Sequence, residues 1–182
     1  MCHFVKLQVI HMKTNRTTFS PRFRKTWLAS LLIPLFSPIH SWAAQTISVT
    51  DGTTVPISGE YGTDAEYQRA VVVQGTDSTI IGDADLSIET TARGANGVNI
   101  TNGGSLNLDG SAIKTNGVVA YGINNNKGSL VLNGGTITTT GQQGNGVYST
   151  GLGSRANINS TEITTSGGSA YAVSGTIGAA LT

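Results

Sequence analysis

The sequence predicts an all-β fold, a parallel β-helix (solenoid) with coils of about 24–26 residues. Two observations carry this. Four apolar columns return with one period: Val98, Ile123, Val147 and Val173; Leu106, Leu130 and Ala156; Leu108, Leu132 and Ile158; Ile113, Ile137 and Ile163. Successive members lie 24 to 26 residues apart, and scattered hydrophobics do not produce such self-similarity. Within each repeat the period is two, since Leu106-Asn107-Leu108, Leu130-Val131-Leu132 and Ala156-Asn157-Ile158 alternate as short strands do.

Gly and Asn separate these runs at Asn102-Gly103-Gly104, Asp109-Gly110, Asn116-Gly117 and Asn133-Gly134-Gly135. Both residues accept the positive φ of a corner. Reading the same pairs as hairpin turns leads to a rival, a β-sandwich of short antiparallel strands. The rival leaves the shared period unexplained. Three strands and three corners per coil explain it, with apolar side chains stacked inward. Asp109, Asn133 and Asn159 then form an outward polar ladder, and Thr115, Thr139 and Thr165 a column near a corner.

The first 43 residues differ in kind. They hold all three His, the one Cys, both Met, both Trp, all four Phe and six of the eleven Lys and Arg. They contain no Gly, Asp or Glu. A basic stretch precedes the apolar run Trp27–Ile33, and Ser41 and Ala43 are the small residues of a cleavage site, so residues 1–43 read as a secretory signal peptide. Ala44 is the alternative end point, and Met12 an alternative start. A membrane anchor competes with this reading, but Pro34 and Pro38 break the apolar run short of the roughly 20 residues a spanning helix needs.

Residues 44–66 read as an N-terminal cap segment. Thr46-Ile47-Ser48-Val49-Thr50 alternates like a strand, whereas Pro56 cannot donate in a central one. Asp64–Arg69 is helix-friendly but too short for a helix. Residues 67–182 then form the β-helix, about four coils with the last incomplete. Its earliest coil places Val73 25 residues before Val98 and Ile88 25 before Ile113, with Ile81-Gly82-Asp83-Ala84-Asp85 as a longer corner.

From Ala44 onward five Lys and Arg face ten Asp and Glu, a formal charge of −5. That balance does not suit nucleic acid, and the lack of Cys leaves no disulfide. Without His or Cys there is no Ser-His-Asp set, Cys-His pair or zinc spacing, and no cofactor is expected. Acid pairs remain. Asp83, Asp85 and Glu89 could ligate calcium or serve as general acid and base on a polysaccharide. A solvated acidic corner is the plainer reading, because no basic partner recurs on their face beyond Arg93. Gly151-Leu152-Gly153-Ser154-Arg155-Ala156 matches a dinucleotide fingerprint only formally, since no helix is expected after it. Asn99 and Asn159 begin glycosylation sequons that chance alone explains in so Asn- and Thr-rich a chain. Tyr121, Tyr148 and Tyr171 each lie within two residues of a column residue, either as surface contacts or as caps on the core.

Gly103-Gly104-Ser105-Leu106-Asn107-Leu108, Lys127–Ile137 and Gly144-Asn145-Gly146-Val147, behind a signal peptide, resemble the passenger of a Gram-negative autotransporter of the pertactin-like adhesin family. The resemblance covers essentially residues 27–182. It implies a right-handed parallel β-helix and a non-enzymatic role in adhesion, autoaggregation or biofilm formation. The implied destination is the outer membrane and cell surface, reached through the periplasm with an outer-membrane β-barrel translocator as partner. Self-association and binding of host or surface glycans are the implied contacts. No barrel pattern, no Gly-Asp-Ser-Gly protease signature and no Arg-Gly-Asp occurs in the sequence. The expectation is therefore a truncated passenger; a polysaccharide-acting β-helix enzyme or a non-functional remnant are the alternatives.

Overall fold

A computed structural model describes residues 45–176 and 178–182. The signal-peptide expectation falls on residues 1–43 and lies outside them. The described chain is all β, a parallel solenoid of about five turns. Coil one holds β1 (Ile47–Val49), β2 (Thr54–Ile57) and β3 (Glu60–Thr63); coil two holds β4 (Arg69–Gln74), β5 (Thr79–Gly82) and β6 (Ser87–Thr90). Coil three follows with β7 (Asn96–Thr101), β8 (Ser105–Asp109) and β9 (Ala112–Thr115). Coil four is β10 (Ile123–Asn126), β11 (Ser129–Asn133) and β12 (Thr136–Thr139); coil five is β13 (Val147–Thr150), β14 (Arg155–Asn159) and β15 (Glu162–Thr165). β16 (Val173–Gly175) and β17 (Ala180–Leu181) begin a sixth. The first strands of all coils pair in parallel as a first sheet, the second strands as a second and the third strands as a third.

The predicted columns are the core, and they run further than expected. On the first sheet the inner column is Ile47–Val71–Val98–Ile123–Val147–Val173. On the second sheet Val55–Ile80–Leu106–Leu130–Ala156–Leu181 stack, and on the third Tyr61–Ile88–Ile113–Ile137–Ile163. Two expectations change. Val73 pairs with Ile100, and the partner of Val98 is Val71, 27 residues earlier, because coil two carries extra corner residues. Residues 44–66 are the first coil, not an irregular cap, since β1, β2 and β3 pair in register with β4, β5 and β6. Pro56 lies in the outermost described strand of the second sheet, where a strand proline is tolerated. The longer corner at Asp83–Leu86 is present: Gly82 to Ile88 spans six residues, against five from Leu108 to Ile113.

One corner never changes length. From third to first sheet the column residues are always ten apart: Tyr61 to Val71, Ile88 to Val98, Ile113 to Ile123, Ile137 to Val147 and Ile163 to Val173. Each holds a four-residue turn whose third residue is left-handed: Tyr67 (φ 60°), Gly94 (65°), Val119 (56°), Gln143 (57°) and Ser169 (57°). The next N–H donates three residues back, as from Ala120 to the Gly117 carbonyl (3.2 Å) and from Gly144 to that of Gly141 (3.0 Å), which is the type II arrangement. Successive turns bond to one another, with Tyr67, Gly94, Val119 and Gln143 each donating to the following coil at 2.9 Å. The turns stack so closely that a Cβ at Gly141 would collide with the Gly117 carbonyl oxygen. Behind them the buried hydroxyls of Thr90, Thr115 and Thr139 donate to the carbonyls of Ala95 (2.6 Å), Ala120 (3.2 Å) and Gly144 (2.6 Å). The predicted threonine column thus points inward and holds the corner.

A second inner column of the first sheet changes chemistry midway. It reads Val49–Val73–Ile100 and then Asn125–Ser149–Gly175. Asn125 and Ser149 are fully buried. Asn125 Nδ2 donates to Ser149 Oγ (3.2 Å) and to the Arg155 carbonyl (3.0 Å), while its Oδ1 accepts from the Gly128 N–H (3.1 Å). The cause lies in the corner: Ile123 to Leu130 spans seven residues where Val98 to Leu106 spans eight. In coil three the equivalent N–H, that of Gly104, finds the Thr101 carbonyl at 3.1 Å. Asn125 supplies that acceptor in the shorter corner.

Candidate functional site

Inner residues alternate with outer ones, so each sheet also presents a ladder of side chains to solvent. The acids expected as a possible catalytic or calcium set divide between two places. Asp83 and Asp85 lie on the corner after β5, both exposed. Asp83 Oδ1 accepts from the Asp85 N–H (3.1 Å), and its backbone carbonyl accepts from Ser111 Oγ (2.8 Å). Glu89 lies on β6, where Lys114 Nζ of the next coil meets its Oε1 at 3.1 Å and Asn116 Nδ2 approaches it at 3.4 Å. The expectation that no basic partner shares their face is corrected, because Lys114 stands beside Glu89 in register. Among the described residues no group of three or more acids is placed to hold a metal ion. Gly151–Ser154 forms the corner between β13 and β14, and Arg155 opens a strand where a nucleotide fingerprint needs a helix.

The tyrosines gather on the first sheet. Tyr148 lies on β13 between the buried Val147 and Ser149, so it points outward. Tyr121 precedes β10 by two residues. Their rings are 5.1 Å apart at centroids and tilted by 39°, a favourable aromatic geometry. Burial pushes the Tyr121 hydroxyl above its ordinary pKa, and the neighbouring Tyr148 phenol adds to the shift. Tyr171 occupies the place of Tyr121 two coils on and is 63 % exposed. One device positions both: Asn96 Oδ1 accepts the Tyr121 N–H (2.9 Å), and Asn145 Oδ1 accepts the Tyr171 N–H (3.0 Å). The structure therefore joins Tyr121 to Tyr148, and it leaves Tyr171 exposed at the equivalent corner two coils after Tyr121.

Beside the rings runs an amide ladder that the sequence reading missed. Asn124 is in register with Tyr148 and Asn99, and its Nδ2 donates to Asn99 Oδ1 at 2.8 Å. The signal was there in Asn99 and Asn124, 25 residues apart and each one residue after a column residue, Val98 and Ile123. Thr101, Asn126, Thr150 and Thr176 line up along the far end of the same strands, where the Thr150 and Thr176 hydroxyls are 2.6 Å apart. Arg69, on β4, is the only charged residue carried by any described strand of this sheet. The third sheet, by contrast, carries Glu60, Glu89, Lys114 and Glu162. A hollow of about 230 Å³ on the second sheet, with Arg155 and Asn157 in its lining, is remote in chemistry from both groups.

Comparison with protein-family models, with curated proteins and with solved structures found no match to this chain.

Proposed function

We propose that the chain is a non-enzymatic surface module of the autotransporter-passenger kind, acting in adhesion or autoaggregation. The observation that carries it is the solenoid itself, a stack of about five parallel coils whose outward positions include in-register polar rows such as Asn99–Asn124 and Asp109–Asn133–Asn159. Such a surface offers many weak, repeated contacts to a second surface, and outward Asn, Ser and Thr ladders suit polar contact better than a single deep site. On this reading residues 1–43 export the chain to the periplasm, and a β-barrel translocator would present it outside the outer membrane.

The test is to join the full chain to an outer-membrane β-barrel translocator and to measure cell settling and attachment against the barrel alone. Faster settling or firmer attachment supports the reading. A variant with Asp83, Asp85 and Glu89 all replaced by Ala should behave like the parent. Unchanged settling and attachment, together with cleavage of a polysaccharide that the triple variant loses, would overturn it in favour of the enzyme.

A further inference from the structure

We infer that Asn116 is a self-modification site: its side-chain amide is converted, through a succinimide closed by the Gly117 backbone nitrogen, to aspartate or isoaspartate. The chain holds five Asn-Gly pairs, at Asn96, Asn102, Asn116, Asn133 and Asn145. Glycine favours ring closure at each, because the lack of a Cβ leaves the attacking nitrogen open and the backbone free to turn. The fold separates the five. The N–H groups of Gly97, Gly103, Gly134 and Gly146 donate to the carbonyls of Tyr121 (3.0 Å), Lys127 (2.7 Å), Asn159 (2.8 Å) and Tyr171 (3.0 Å) on the following coil. Among the described residues no acceptor meets the Gly117 N–H. The unvarying corner is the reason. Gly117 opens the turn between β9 and β10, and the residues in its place on the coils either side, Ala92 and Gly141, are unbonded at nitrogen too. Those two follow Thr91 and Thr140, so only coil three sets an amide before that open nitrogen.

The amide is also polarised. Thr140 Oγ1 donates to Asn116 Oδ1 at 3.1 Å, where negative charge builds as the ring closes. Asn96 and Asn145 accept comparable bonds from the Tyr121 and Tyr171 N–H groups, but their glycine nitrogens are engaged. Asn116 alone combines a polarised amide with an open nitrogen. In the reaction the Gly117 nitrogen bonds to Cγ and gives up its proton, the Cγ–Nδ2 bond breaks, and Nδ2 leaves as ammonia with that proton. Water then adds to either ring carbonyl and opens it. One opening yields aspartate; the other yields isoaspartate, whose main-chain path runs through the former side chain and is a carbon longer. Either product sets a carboxylate beside Glu89, whose Oε1 lies 3.4 Å from Asn116 Nδ2. A donor is thus replaced by a like charge, and Lys114, 3.1 Å from the same oxygen, is shared between two carboxylates. The longer isoaspartate path falls within the corner that keeps ten residues from Ile113 to Ile123. Nothing in this chemistry depends on display at a surface, so a failed settling assay leaves it standing.

The experiment is to hold the full chain at mildly alkaline pH, sample it over time, digest it and map each Asn-Gly peptide by mass spectrometry. Conversion is read as the mass gained when OH replaces NH2, and labelling by an isoaspartyl methyltransferase marks the isoaspartate fraction. Asn116 should convert at least about fivefold faster than each of the other four, whose glycine nitrogens must first give up a hydrogen bond. In urea, where those bonds are gone, the five rates should lie within about twofold of one another. Thr140→Val, at an exposed position, should slow Asn116 about threefold, the effect of one weak hydrogen bond, and an unchanged unfolding midpoint shows that the fold is kept. Asn116→Gln should remove most of the methyl label from the folded chain, and Asn133→Gln should leave it in place. Faster conversion at any other pair in the folded chain, equal rates at all five, or no reaction at Asn116 while the urea-treated chain reacts would overturn the proposal. An unchanged rate in Thr140→Val would overturn the part given to that hydroxyl.

Discussion

The second inner column of the first sheet is built two ways within one backbone. Coils one to three fill it with Val49, Val73 and Ile100, and the following three with Asn125, Ser149 and Gly175. The strands pair in the same register throughout, so strand pairing alone does not require apolar filling. What differs is directionality. Apolar contact has no preferred angle and stabilises by area removed from water. The Asn125 amide is held by three partners, and a slip of one residue would leave those groups buried and unpaired. The apolar half supplies stability in bulk, and the polar half also fixes register.

That comparison can be broken from either side. Ile100→Ala removes a fully buried side chain at the last apolar position, and the denaturant midpoint should fall by an amount worth about 2–5 kcal/mol. Asn125→Ala should cost about 1–3 kcal/mol, mostly through the stranded Gly128 N–H and Arg155 carbonyl. Asn125→Leu should fail to recover that loss although it extends the apolar column; recovery to the parent midpoint would show that bulk alone matters. Thr90→Val and Thr139→Val sharpen the contrast, because the same hydroxyl-to-carbonyl bond occurs in both halves. Each should cost about 0.5–1.5 kcal/mol, and a loss at Thr139 more than double that at Thr90 would point to fraying of the later coils instead. Val119 stands where the two halves meet, a β-branched residue at φ 56°. Val119→Gly should raise the midpoint by up to about 1 kcal/mol, since relief of the left-handed conformation exceeds the added freedom of the unfolded chain.

Much of this was legible beforehand, and the reasons are local. Leu106, Leu130 and Ile137 alternate and recur, so periodicity found the inner columns wherever they are apolar. It found nothing at Asn125 and Ser149, because alternation reads a polar residue as outward and only the neighbouring corner length explains an inward one. A step of 25 residues, which fits the average coil, aligns Val73 to Val98, while one added residue between Val71 and Ile80 and one at Asp83–Leu86 lengthen coil two to 27 and make the true partner Val71. Coil one was hidden by Pro56, which a central strand would exclude and an outermost one admits. For the candidate site, the three tyrosines stood out by position. The Asn99–Asn124 ladder did not, since Asn is common at corners too, and the Glu89–Lys114 pair needed the register that sets them side by side.

The unvarying corner has a practical consequence for anyone who wishes to graft a foreign peptide onto this scaffold. Length variation is already tolerated between the first and second sheets, where column residues lie seven to nine apart: Ile123 to Leu130 at the short end, Val147 to Ala156 at the long. Leu152, at the tip of one such corner, is 84 % exposed and marks an acceptor position. A loop spliced there would lengthen an element that already differs from coil to coil. The same loop between Gly117 and Ala120 would part a turn bonded both to Gly94 below and to Gln142 above, and three coils would lose alignment together.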